Sequence, residues 1–187
     1  MSSSNITARL NELRSLMNDN GLDYYYVPAA DDHKNEYVPA YMQRRAWITN
    51  FTGSAGDALI GKNDAYLWTD ARYFLQAEHE LDTAHYKIMK MGQGETPAID
   101  QWLLAQAENI TCGVDSKVIS IAQATTLQNA LATRGGKLLS INHNFIDTIW
   151  HDRPARPHKP LRIQDEKYTG ASAKEKIKHL REAMHTV

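Results

Sequence analysis

The chain has 187 residues, 42% apolar and 23% charged, which are the proportions of an ordinary globular domain and not of a disordered chain. A net charge of −1 excludes a nucleic-acid partner held on a basic surface, because such binding rests on neutralising many phosphates. No apolar run approaches the roughly 20 residues that span a bilayer, so a membrane partner is excluded too.

The start, Met1-Ser2-Ser3-Ser4-Asn5, lacks the basic and apolar regions of a secretion signal, which makes the expected compartment cytoplasmic. The Asn-x-Thr sequons at Asn5, Asn50 and Asn109 then count as chance matches. Residues 6–20 read as a helix capped by Thr7, with Leu10, Leu13, Leu16 and Met17 on one face and Asn20-Gly21 as the stop. Tyr24 to Val27 is a strand closed by Pro28, and residues 29–45 read as a long ordered loop. Asp57–Gly61 and Ala65–Thr69, joined by Lys62-Asn63-Asp64, form a hairpin by their turn chemistry. A helix over 71–81 carries Tyr73, Phe74, Ala77 and Leu81 on one side, and a strand over 86–91 follows. A helix over 96–107 has Pro97 in its first turn, where a missing N–H costs nothing. Strands at 110–114 and 137–141 flank a helix over 120–133 that ends at Gly135-Gly136, and a short helix over 145–151 carries Trp150. Strands alternating with helices, plus one hairpin, predict an α/β fold with a mixed sheet of five or six strands flanked by helices.

Pro154, Pro157 and Pro160 then make an extended linker. After it, residues 176–184 repeat the pattern of residues 9–17: an aliphatic residue, then Leu-Arg, then Met on one helical face. The expected organisation is a domain over 1–152, a Pro-rich linker over 153–171, and over 172–187 the first helix of a second, similar domain. A chain ending inside such a helix is expected to be a fragment.

No catalytic set emerges from the residues. Asp31, Asp32, His33 and Glu36 are metal-ligand types, but their spacing fits no known site; the loop reads better as a hydrogen-bonded structure in which Asp31 caps a turn and His33 or Glu36 locks it. Arg44 and Arg45 either bind an anionic terminus bidentately, or divide into one solvated arginine and one structural salt bridge. Gly53-Ser54-Ala55-Gly56 is a tight turn, and Ser54 has no base beside it to make it a nucleophile. Asp70 caps the helix that follows it. His79, His85, His143 and His151 lie scattered without ligand spacing, and Cys112, which can close neither an internal disulfide nor a zinc site, reads as a buried small hydrophobe.

Taken in order, four segments resemble one family. They are Pro28-Ala29-Ala30-Asp31-Asp32-His33-Lys34-Asn35-Glu36-Tyr37, Arg44-Arg45 with Phe51-Thr52-Gly53-Ser54-Ala55-Gly56, Trp68-Thr69-Asp70-Ala71-Arg72-Tyr73, and Ile149-Trp150-His151-Asp152-Arg153-Pro154. The resemblance is to the N-terminal, creatinase-like domain of the three-domain aminopeptidase P type of Xaa-Pro aminopeptidase, with Asn35 where serine is usual and Ala71 where glycine is usual. It implies the creatinase/prolidase N-terminal fold, of ribonuclease H-like type. It also implies a longer metallo-exopeptidase that releases the residue preceding proline, with two divalent ions, manganese by preference, held in a catalytic domain beyond residue 187. No cofactor, metal or catalytic residue is expected in residues 1–187 themselves. The implied partners are the second and catalytic domains of the same chain, a proline-containing peptide and, as an assembly, a homodimer. By the same analogy His33, Glu36, Tyr37, Arg44, Arg45, Gly53, Ser54, Asp70 and Arg72 are the candidates for contact on the substrate side. The rival reading is a protein-binding module of a catalytically inactive pita-bread homologue; the downstream metal ligands separate the two.

Overall fold

The computed structural model describes residues 3–185, with side chains from Asn5 onward, so residues 186 and 187 of the expected second-domain helix lie outside the described residues. Two compact units divide at Ala155. The larger one carries a six-stranded sheet. Its strands are β1 (Tyr24–Val27), β2 (Asp57–Gly61), β3 (Ala65–Thr69), β4 (Lys87–Lys90), β5 (Thr111–Asp115) and β6 (Lys137–Ile141), in the order β4-β3-β2-β1-β5-β6. β2 runs antiparallel to both neighbours, and the other adjacent pairs are parallel. Five strands therefore end on the same side as β2 begins, and that end gathers the loops after Val27, Thr69 and Asp115.

Helices cover both faces because the strands alternate their apolar side chains between them. Tyr25, Val27, Ala58, Ile60 and Leu67 face α1 (Ser3–Asp19), α2 (Arg44–Thr49), α3 (Phe74–Glu80) and α6 (Phe145–Ile149). Tyr26, Leu59, Trp68, Cys112 and Val114 face α4 (Ile99–Leu104) and α5 (Ile121–Ala132). Cys112 is fully buried, and that burial pushes its thiol up to about 12. In α1, Ile6, Leu10, Leu13 and Met17 are all completely buried, each worth about 1.5–3 kcal/mol of transfer from water. The helix stops where Gly21 takes φ +65° and Leu22 N–H reaches back to the Met17 carbonyl at 2.9 Å. Arg14, on the same helix, donates to the carbonyls of Gly61 and Asp64 and so ties α1 to the hairpin turn.

Several sequence-based expectations shift. Thr7 lies inside α1, which begins at Ser3, so it is not the cap. Residues 29–45 are not wholly irregular: a 3-10 turn spans Ala40–Met42 and α2 starts at Arg44. The helix expected over 71–81 opens with a 3-10 turn at Ala71–Tyr73 under the Asp70 cap. Pro97 precedes α4 instead of opening it, and its carbonyl accepts the Trp68 indole N–H at 2.8 Å. The outer edges of the sheet are polar: β4 is bounded by Lys87 and Lys90, and the outward N–H of Leu138 in β6 is taken by the Gln128 side chain at 2.9 Å.

The smaller unit holds α7 (Glu166–Thr169), a turn not expected in the linker, and α8 (Ala173–Met184). Ser172 caps α8 in a reciprocal box with Glu175. Its apolar positions Ile177, Leu180 and Met184 are 50%, 61% and 69% exposed, against zero for the matching Leu10, Leu13 and Met17 of α1.

Candidate functional site

The candidate residues fall at the end of the sheet where β1 and β3 finish. The loop after β1 is built around Asp31. Its carboxylate, nearly inaccessible to solvent, accepts the N–H groups of His33 and Asn35 at 2.9 and 3.0 Å and the Asn35 side-chain amide at 2.8 Å. Burial alone would push this carboxyl up, but the Asn35 side chain and the two backbone donors outweigh it and hold it below its ordinary value. The Asn35 side chain, where the resemblance expects serine, thus helps lock the loop, and His33 contributes only its backbone N–H; the His33 and Glu36 side chains are exposed. The start of the same loop is fixed by Asp57, which accepts the Tyr26 hydroxyl at 2.6 Å and the Ala29 N–H at 3.0 Å.

Neither arginine of the pair is solvated. Arg44 makes a bidentate pair with Asp147 of α6 at 2.6 and 2.8 Å. Arg45 is 6% exposed and donates to the Phe51 and Gly53 carbonyls while its guanidinium lies over the Phe51 ring. Burial without a carboxylate partner in contact lowers its pKa to about 10. Gly53 is glycine for lack of room: a Cβ there would drive into the Phe51 and Tyr73 rings. Ser54 shares a 2.7 Å hydrogen bond with the Tyr73 hydroxyl, and no imidazole or carboxylate is bonded to it. Glu36, Tyr37, Arg45, Gly53 and Ser54 line one cavity of about 140 Å³.

On the rim, Asp70 accepts its own cap bond from the Arg72 N–H and a bidentate pair from the Arg72 guanidinium at 2.9 and 2.7 Å. The Arg72 bond holds the Asp70 carboxyl below its usual range. Glu36 and Arg72 are both exposed. A larger cleft of about 490 Å³ opens on the α4–α5 side of the same end, lined by Tyr26, Asp57, Trp68, Asp70, Met91 and Leu127. Only Asp70 of the sequence-derived candidates reaches it. Size does not make it the better site: Tyr26, Trp68 and Leu127 in its wall are buried, and its Asp57 carboxylate is already committed to Tyr26 and Ala29. Sequence reasoning missed Asp57 and Asp147, because each is one acid within an otherwise ordinary strand or helix and only the tertiary fold supplies its partners.

Among the described residues no three His, Cys, Asp or Glu side chains come together to hold a metal ion, and no helix is long and apolar enough to cross a membrane. The resemblance places its two ions in a domain beyond residue 187, and no chemistry of such a centre is drawn from the residues present.

A six-stranded mixed sheet with helices on both faces is the architecture of an α/β domain, and the match to known proteins makes it specific. Residues 9–148 match the Creatinase/Prolidase N-terminal domain, and the chain belongs to that family. It is 42% identical over 182 residues to a probable Xaa-Pro aminopeptidase P of Arthroderma otae and 43% identical over 180 residues to that of Talaromyces marneffei, covering 96% and 95% of this chain. It spans only 29% and 27% of those relatives, under a third of their length. A crystal structure of X-prolyl aminopeptidase from Caenorhabditis elegans, described as a cytosolic enzyme with a di-nuclear active site, superposes with a TM-score of 0.87 at 29% identity over 97% of this chain and 31% of that one. The N-terminal domain of the cytoplasmic peptidase PepQ from Mycobacterium tuberculosis shares the fold, with a TM-score of 0.55 at 22% identity over 76% of this chain and 98% of that one.

Proposed function

We propose that this chain is the non-catalytic N-terminal domain of a cytosolic Xaa-Pro aminopeptidase, and that its rim of Glu36, Tyr37 and Arg72 contacts the peptide and shapes access to an active site built by the downstream chain. The observation that carries the reading is the division of labour at the rim. The buried members of the motifs are consumed by internal bonds, whereas Glu36, Tyr37 and Arg72, on the loops that follow β1 and β3, stay exposed. The exposed Arg72–Asp70 pair has little effect on stability, but with the exposed Glu36 it offers a carboxylate for a peptide amine and a guanidinium for a carbonyl or carboxylate. The downstream chain would supply two divalent ions, manganese by this reading. Residues 153–171 form the linker, and α8 opens a second unit like the first. The exposed faces of Ile177, Leu180 and Met184, spaced as the buried Leu10, Leu13 and Met17 are, support that last point. A homodimer of the whole protein belongs to the same reading.

Steady-state kinetics of the full-length protein on an Xaa-Pro peptide test the proposal. Arg72→Ala is expected to raise KM about tenfold, the worth of one lost charged hydrogen bond, with a smaller change in kcat. An unchanged KM would overturn the rim's role, and metal-dependent turnover by the 187-residue chain alone would overturn its non-catalytic standing.

A further inference from the structure

Glu36 and Tyr37 sit at the tip of a long surface loop, and such loops ordinarily wander unless something holds them. One holder is the Asp31 knot just before the tip. A second lies just after it, and its residues come from distant parts of the chain. Asp147, on α6, takes the bidentate pair from Arg44 at the start of α2 and, on its Oδ2, a second guanidinium contact from Arg153 at 2.8 Å. Arg153 in turn donates through its Nε to the Tyr41 carbonyl at 2.6 Å and lies over the Tyr41 ring, inside the 3-10 turn that ends the loop. Asp147 and Arg153 are about three-quarters buried, and Arg44 more so. Two guanidinium groups thus share one carboxylate, and the Tyr41 carbonyl holds the second of them. Arg153 is also among the last residues of the larger unit, immediately before Pro154 and the linker.

We propose that Asp147, with Arg44 and Arg153, is a positioning latch. It fixes the Glu36–Tyr37 tip from its C-terminal side and ties that tip to the point where the chain leaves the domain. None of the three touches the peptide; they act through the loop. The proposal rests on the reading of the rim as a substrate-side surface, and its test separates the two.

Two variants serve. Asp147→Asn keeps the shape and removes the charge, and Arg153→Met keeps the apolar stem and removes only the contacts to Asp147 and Tyr41. Hydrogen exchange on the 187-residue chain is expected to quicken about tenfold or more at residues 36–43 in both, with the β1, β2 and β5 amides unchanged. In the full-length protein the same variants are expected to raise KM several-fold with kcat nearly unchanged, and Asp147→Glu to recover part of the loss. Wild-type exchange at 36–43 in Arg153→Met overturns the latch, even where Asp147→Asn fails to fold. Exchange that quickens uniformly across the sheet overturns it as well, by reducing Asp147 to a general stabiliser. Failure of the rim reading looks different: Arg72→Ala then leaves KM alone while the latch variants still loosen residues 36–43.

Discussion

The corner around Arg45 and the rim around Arg72 present the same side chain in opposite states. Arg45 is enclosed, bonded only to the Phe51 and Gly53 carbonyls and stacked on an aromatic ring, and burial pulls its pKa down to about 10. Arg72 stands in solvent, and its bidentate bond to Asp70 moves its pKa up. The first arginine shapes the turn from Phe51 to Gly56, because a guanidinium can satisfy several carbonyls that would otherwise be buried without partners. The second organises almost nothing inside the domain. An arginine that a motif singles out can thus serve the fold or the ligand, and its burial separates the two.

The largest effect expected from breaking that contrast is at the corner. Arg45→Met leaves the Phe51 and Gly53 carbonyls unpaired and should cost about 3 kcal/mol or more in urea unfolding of the 187-residue chain. A loss well under that would mean the corner carbonyls find other partners. Next comes the Asp31 knot, where Asp31→Ala removes three hydrogen bonds to one carboxylate, a cost of about 2–3 kcal/mol at neutral pH. The sign of its pH dependence follows from the lowered carboxyl. The native pKa lies below the ordinary 3.8, so the stabilisation is fully present above that value and is lost as pH falls through the lower native one. The unfolding free energies of wild type and Asp31→Ala should therefore converge on acidification. A gap that stays constant down to acid pH would assign the cost to packing instead of charge. The smallest stability effect belongs to Arg72→Ala, for which the melting temperature should not move even though KM does; a marked drop would place Arg72 with Arg45 as a residue of the fold.

Much of the frame was legible beforehand. The strand at Tyr24–Val27 and the hairpin at 57–69 carry β-forming residues around a turn that allows one pairing, and α1 shows its buried stripe openly in Leu10, Leu13 and Met17. What stayed hidden depends on distance along the chain. The short helix at Arg44–Thr49 has no periodic signal of its own and is held by Asp147, more than a hundred residues away. The sequence placed Asn35 as a departure from a family pattern without showing that its amide would complete the Asp31 knot. It left the two arginines open between binding an anionic terminus and dividing into one solvated and one salt-bridged residue, since only the packed fold removes both from water. The motif singled out the loop of residues 31–37, but which of its residues remain exposed is a property of the packed fold alone.

The polar finish of the two outer strands has a further consequence. An unpaired strand edge is a template on which another chain can lay down a strand, the first step towards sticky, fibril-like association. Here Lys87 and Lys90 put charge at one edge, and the Gln128 amide oxygen occupies the outward Leu138 N–H at the other. Lys87 and the Gln128 amide thereby work against edge-to-edge growth, whereas the charge of Lys90 is met by Glu78 at 2.6 Å.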